Sequence, residues 1–278
     1  MQALALQQEI QGTTKPDATL VTLADTQTEH YLHEQLEKIH PEALVFGEET
    51  WEQKGMEDIG DHVKKDVFFL DPIDGTSNFA AGLTTWGVSL GFASGGQLVH
   101  GAVFLPGTGE LYITTDVHAA YMRTPLDRFG VPIVPPDNQG LIDFAAQRLA
   151  PLEVRPEQPV KLVSVTQYIA KGLPFKVPYT VISTGSFVVS MLNTARGSYS
   201  AYMAKAKIWD MAGAWPIARQ AGVQARLVPS GKAFDEPLNS GVWQWNTDDP
   251  DFLGLSEHVL FYWDEIVAHT CKEAAKNW

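Results

Sequence analysis

Asp71 and Asp74 stand three residues apart in the stretch Asp71-Pro72-Ile73-Asp74-Gly75-Thr76-Ser77. Pro72 and Gly75 force a turn, so both carboxylates can point at one spot, with the Ile73 carbonyl between them as a neutral oxygen donor. Oxygen-only ligands of this kind suit Mg²⁺, Mn²⁺ or Ca²⁺ and not zinc. Gly75, Thr76 and Ser77 would then open a helix whose free N–H groups can hold a phosphate. The same residues also fit an ordinary surface turn, since Asp-Gly is common in turns. Further acids stand at Gly47-Glu48-Glu49, which alone reads as a solvated loop, and at Asp210 after Trp209, which alone reads as a helix N-cap. Acids at two strand ends and one helix start point together to a convergent cation site.

The elements that must position these acids follow from local patterning. From Asp25 to His40, Leu32, Leu36 and Ile39 keep helical spacing and Pro41 ends the segment. Ala43–Phe46 and Val67–Leu70 are short apolar runs of strand length, each running straight into acidic residues. A β-meander is predicted over Trp86–Ala93, Leu98–Leu105 and Leu111–Thr115, with turns at Ser94-Gly95-Gly96 and Pro106-Gly107-Thr108-Gly109. Prolines crowd the stretch from Arg123 to Pro159 and mark a subdomain junction, dividing the chain into 1–130 and 131–278. Beyond it, strands at Lys161–Val165, Tyr179–Ile182, Ser198–Ala204 and Val223–Val228 alternate with helices at Ser186–Arg196 and Asp210–Gln220. Pro216 should kink the second of these helices or remove a hydrogen bond in its second turn. A last amphipathic helix is predicted with Val259, Trp263, Ile266, Val267 and Thr270 on one face. The pattern is that of layered helices and sheets.

Composition narrows the function. The chain has 278 residues, enough for one large or two modest domains. Twenty Lys and Arg against thirty-three Asp and Glu give a net charge of −13. That disfavours a nucleic-acid backbone as partner and suits bound cations. The single cysteine, Cys271, excludes an internal disulfide and a thiolate zinc site. Met1 to Gly12 has no basic n-region, and no apolar run approaches membrane-spanning length. A soluble, cytoplasmic protein with no membrane partner is expected.

Asp71-Pro72-Ile73-Asp74-Gly75-Thr76-Ser77-Asn78-Phe79 resembles the first signature of the inositol monophosphatase family, and Trp209-Asp210-Met211-Ala212-Gly213-Ala214 resembles its second. Gly47-Glu48-Glu49 stands where that family places Gly-Glu-Glu. Thr19-Leu20-Val21-Thr22-Leu23-Ala24-Asp25 is similar to its early Asp-Leu-Val-Thr-x-x-Asp, with Thr19 in place of the first acid, and Gly185-Ser186 is similar to its substrate-side turn. The likeness runs from about Lys15 to Gly231. It implies an α+β fold, the layered α/β/α/β/α sandwich of the inositol monophosphatase and fructose-1,6-bisphosphatase type, in a homodimer. It also implies Mg²⁺-dependent hydrolysis of a small phosphate monoester, with two or three Mg²⁺ per subunit. Glu48, Asp71 and the Ile73 carbonyl would bind one metal; Asp71, Asp74 and Asp210 would bind another. Thr76 paired with Asp25 would activate a water together with Glu48. Gly75, Thr76, Ser77, Gly185 and Ser186 would hold the substrate.

The chain departs from the pattern before its second signature. The family usually has an acid there that contacts substrate hydroxyls, whereas Tyr202 to Trp209 holds no carboxylate and two lysines, Lys205 and Lys207. Two apart on a predicted strand, they would face one side. They are either solvated charge or, with Lys205 in the substrate set, contacts to a second anionic group. A separate alternative keeps the chemistry and changes the substrate to histidinol phosphate, a sugar bisphosphate or a nucleotide 3′-phosphate. A rival of another class is a non-catalytic regulatory or scaffold protein that keeps the fold; the full acid set argues against it.

Overall fold

The computed structural model describes residues 12–14, 20–51, 64–128, 130–135, 137–234, 238, 241–246 and 252–278. Thr19, most of the Met1 to Gly12 start and Lys15 lie outside the described residues. Strands β1 (Gly12–Thr14) and β2 (Leu20–Thr22) pair antiparallel and lead into helix α1 (Leu23–Ile39). Then come β3 (Leu44–Gly47) and β4 (Val67–Asp74), the short helix α2 (Thr76–Ala80), and the meander β5 (Gly87–Ser94), β6 (Gln97–Leu105), β7 (Glu110–Thr114) and β8 (Ala119–Arg123). Helix α3 (Asn138–Arg148) and β9 (Ala150–Pro151) follow.

The remainder alternates: β10 (Leu162–Val165), α4 (Gln167–Gly172), β11 (Thr180–Ile182), α5 (Phe187–Ala195), β12 (Ala201–Ala204), α6 (Ile208–Ala221), β13 (Gln224–Val228), β14 (His258–Tyr262) and α7 (Glu265–Ala274). Strands β3 to β9 form a seven-stranded sheet in chain order, parallel between β3 and β4 and antiparallel elsewhere. The second sheet has five strands in the order β11-β10-β12-β14-β13.

Helix α1 covers one face of the larger sheet, packing on β3 and β4, while α6 lies across β4, β5 and β6 on the other. Helices α5 and α6 pack together, with α5 also against β12 and β14 of the smaller sheet. Helix α7 closes that sheet's far face. The order is α/β/α/β/α, an α+β sandwich as expected. The middle helix layer is buried on both sides: all but one residue from Phe187 to Ala195 is buried, and so are Met211 to Ala218.

Two expectations change. The predicted last helix is shorter, because Val259 belongs to β14. There Val259 and Phe261 enter one core while Leu260 and Tyr262 enter the other, the period-two alternation of a strand between two layers. A four-residue apolar run does not separate these cases by periodicity alone. Helix α7 buries Val267, Ala268 and Cys271 and leaves Ile266 exposed. Helix α6 runs on through Pro216, held by packing on both sides, and the ring removes the helical bond to the Ala212 carbonyl, the second of the two expected effects. Finally, β12 ends at Ala204, so Lys205 and Lys207 stand beyond the strand and do not share a face through it.

Candidate active site

The parallel pair β3 and β4 delivers acids at its carboxyl end. The Glu48 N–H donates to the Leu70 carbonyl at 3.1 Å, setting Glu48 beside Asp71. β4 breaks register with β5 between Asp71 and Asp74. Within that irregularity the Ile73 N–H donates to Asp71 Oδ1 at 3.0 Å. Gly75 then takes φ +90°, a left-handed conformation open to glycine at no steric cost, and α2 begins.

Asp210 arrives from the opposite side, in the first turn of α6, where its Oδ2 accepts from the Lys207 N–H at 2.9 Å. One carboxylate oxygen each of Asp71, Asp74 and Asp210 lies within 4.8 Å of the others. Asp71 and Asp74 are buried and Asp210 half-buried. Burial, then the charges of Glu48, Asp74, Asp210 and Asp25, push the Asp71 carboxyl well above the usual range. Burial, then Asp74 and Glu48, do the same to Asp210. Burial raises Asp74 to about 6 against three opposing hydrogen bonds. Those bonds come from the Ser186 hydroxyl and from the Phe187 and Val188 N–H groups, both at 3.0 Å, so Asp74 also ties β4 to the start of α5. Several carboxylates forced together out of water suit a hard divalent cation, which would restore their ionised forms.

Thr76 and Asp25, fifty-one residues apart, do meet. The Thr76 hydroxyl lies 3.4 Å from Asp25 Oδ1 and 3.1 Å from the Ile73 carbonyl. Asp25 is fully buried on α1. Gly185, at φ +75°, and Ser186 come against Gly75: a Cβ on Gly75 would sit 3.1 Å from Ser186 Cβ. Ser77 is exposed. Lys205 lines a cavity of about 300 Å³ with Asp74, Ser186, Tyr202 and Asp210. The structure therefore gathers Asp71, Asp74, Asp210, Glu48, Gly75, Ser186 and Lys205 around one region, with the Thr76–Asp25 pair beside it.

Sequence reasoning assigned no role to three residues that build this region. Asn78, inside the first signature, donates to the carbonyls of Thr85 at 2.7 Å and Thr184 at 2.8 Å, pinning the Gly75 turn to the Gly185 turn. Glu29, one helical turn after Asp25 and fully buried, accepts from the Glu49 N–H at 2.9 Å. Its carboxyl lies where a Cβ on Gly47 would be, 2.0 Å away, so that loop needs glycine. The i, i+4 spacing of Asp25 and Glu29 on one helix face was the available signal. Tyr202 sits fully buried near Asp74 and Asp210; burial and those charges raise its phenol well above its usual value, so it stays a neutral donor.

The model of the inositol monophosphatase family matches residues 1–243. The chain is 27% identical over 235 residues to an inositol-1-monophosphatase of Rhizobium meliloti (strain 1021), covering 84% of this chain and 80% of the relative. It is 27% identical over 215 residues to a fructose-1,6-bisphosphatase/inositol-1-monophosphatase of Aquifex aeolicus, covering 77% and 74%. The extragenic suppressor protein SuhB of Bartonella henselae superposes with a TM-score of 0.67 at 18% identity, over 99% of this chain and 92% of that one. An IMPase/NADP phosphatase solved with Mg²⁺ and phosphate gives 0.66 at 18% identity, over 99% and 87%. At these identities the solved structures speak to the fold.

Proposed function

The chain belongs to the inositol monophosphatase family and is, on that footing, a Mg²⁺-dependent phosphomonoesterase; we propose how its own residues serve the reaction. The observation behind the reading is the trio of Asp71, Asp74 and Asp210, its oxygens within 4.8 Å and its charges held together against burial. Asp71, Asp74, Asp210, Glu48 and the Ile73 carbonyl would hold two or three Mg²⁺. When bound, Mg²⁺ neutralises the phosphate, acidifies a water and steadies the leaving oxygen.

The chain's own part is positional. The Thr76 hydroxyl donates to Asp25 and turns a lone pair toward the attacking water, on which Glu48 also acts. The N–H groups of Gly75, Thr76 and Ser77, with Gly185 and Ser186 across the cleft, hold phosphate oxygens in line with that water. Water adds to phosphorus, the ester P–O bond breaks, and the alcohol leaves with a proton.

The substrate is a small phosphorylated metabolite: an inositol monophosphate or, by the same chemistry, histidinol phosphate, a sugar bisphosphate or a nucleotide 3′-phosphate. A homodimer is carried over from the family resemblance, and the proline-rich stretch supports a division into 1–130 and 131–278, halves that each supply acids. The lone buried thiol of Cys271 supports a cytoplasmic location. No helix of the described residues is long and apolar enough to cross a membrane.

Phosphate release from a panel of monoesters tests the reading. Excess chelator should abolish hydrolysis, Mg²⁺ should restore it, and Asp74→Asn should lower turnover by orders of magnitude while the protein stays folded by circular dichroism. Unchanged hydrolysis in excess chelator overturns it.

A further inference from the structure

Lys205 and Lys207 have separate fates. The Lys207 ammonium donates to the Phe252 carbonyl at 2.6 Å, and its N–H holds Asp210. Its backbone bridges to Gly254. Lys207 is therefore spent on fastening the start of α6. Lys205, half-buried just past β12, instead lines two adjoining cavities. The inner one, about 300 Å³, holds Asp74, Ser186 and Asp210. The outer one, about 380 Å³, is lined by Tyr168, Lys207, Leu255 and His258 among others. Lys205, Tyr168 and Asp210 belong to both.

The two cavities differ in charge. Asp74 lines only the inner cavity, and among the described residues Asp210 is the one carboxylate on the outer wall, beside Lys205, Lys207 and His258. In a chain of net charge −13, a wall whose described residues carry at least as many cationic as anionic side chains stands apart from the rest of the molecule. A scissile phosphate seated over the aspartates has its charge met by the cations they hold. Lys205 lines the second cavity as well as the one holding Asp74, so an anionic group on the leaving portion that enters there meets its ammonium.

We propose that Lys205 is a specificity-determining residue that reads a second anionic group on the substrate's leaving portion, so that the enzyme prefers phosphomonoesters carrying two anionic groups. The inference rests on the phosphatase reading above and names the substrate class of that same site. A direct charge-assisted contact in a partly desolvated pocket is worth about ten- to a hundredfold in kcat/KM.

The test uses matched esters: fructose 1,6-bisphosphate against fructose 1-phosphate, and adenosine 3′,5′-bisphosphate against adenosine 3′-monophosphate, with the full chain in saturating Mg²⁺. The expected result is a preference of about tenfold or more for the doubly anionic member of at least one pair. Lys205→Ala should erase that ratio mainly through KM, Lys205→Arg should keep it, and Lys205→Glu should invert it. Lys207→Ala, by contrast, should lower the melting temperature. Equal kcat/KM within both pairs, or a Lys205→Ala protein that keeps the preference, overturns this inference and leaves the phosphatase intact. Hydrolysis of no ester at all overturns both.

Discussion

The position of α6 on the larger sheet sets where Asp210 stands relative to Asp71 and Asp74, and three glycines fix that position. A Cβ on Gly101 of β6 would lie 2.0 Å from the Gly213 carbonyl oxygen. One on Gly91 would lie 2.3 Å from Ala212 Cβ, and one on Gly213 would lie 2.4 Å from Ser89 Oγ. Ordinary contact needs about 3.5 Å, so Gly101→Ala asks the helix to move away by about 1.5 Å. It cannot retreat freely, because α5 and the smaller sheet pack behind it. Overpacking of this kind costs about 1–3 kcal/mol. In a chain of this size that lowers Tm by roughly 2–4 °C for each kcal/mol.

The effect on the site should be larger than the effect on stability. Asp210 is one turn from Gly213 on the same rigid helix, and Mg²⁺ demands ligands at about 2.0–2.1 Å in strict geometry. A shift of an ångström at a reacting centre costs about a hundredfold in rate. Gly101→Ala should therefore raise the Mg²⁺ concentration for half-maximal activity and cut kcat, and Mg²⁺ should raise its Tm less than it raises the parent's. Gly172→Ala, where an added Cβ meets nothing within 4 Å, serves as the control and should change neither. A folded Gly101→Ala protein with a lower Tm but the parent's Mg²⁺ requirement would refute the link between helix seating and metal geometry.

Two further outcomes are expected. Thr76→Ala removes the hydroxyl between Asp25 and the Ile73 carbonyl, so kcat should fall by about a hundredfold with little change in KM; a lower Tm at normal turnover would reduce Thr76 to a helix-starting role. The pH dependence follows from the raised carboxyls: in the metal-free protein Asp71, Asp74 and Asp210 bind protons more tightly folded than unfolded, so their contribution to stability is fully present below about pH 4 and is lost as pH rises through their raised values, about 6 for Asp74. The Tm gain from Mg²⁺ should accordingly grow between pH 5 and pH 7.5, and a gain independent of pH across that range would count against a cation site at these acids.

Much of the candidate site was legible in the chain itself because its parts are local. Gly75, which ends β4 and lets α2 begin, sits inside the first motif, and a helix starting near Asp210 and stopping at Gly222 is written in adjacent residues; the turn expected at Pro72 is instead β4 running on to Asp74 with a shift of register. The apolar runs that lead into Glu48 and Asp71 read as strands on their own, and β3 and β4 are built on them. Local patterning failed at Val259–Tyr262, where the partners that make a strand come from β12 and β13.

What only the tertiary structure decided involves residues far apart in sequence. Asn78 bonds Thr184, Asp74 holds the start of α5, and Glu29 fills the space a side chain at position 47 would need. The same is true of the lysines, which sequence spacing placed on one side of a strand and which end with Lys207 fastened to Phe252 and Lys205 facing the cavities. Residue type and spacing fix what chemistry a segment carries and which backbone conformations it tolerates, because those preferences act over a few bonds. Which distant groups share a buried volume is fixed by how whole layers pack, and steric exclusion at contacts such as Gly101 against Gly213 exists only once the chain has folded.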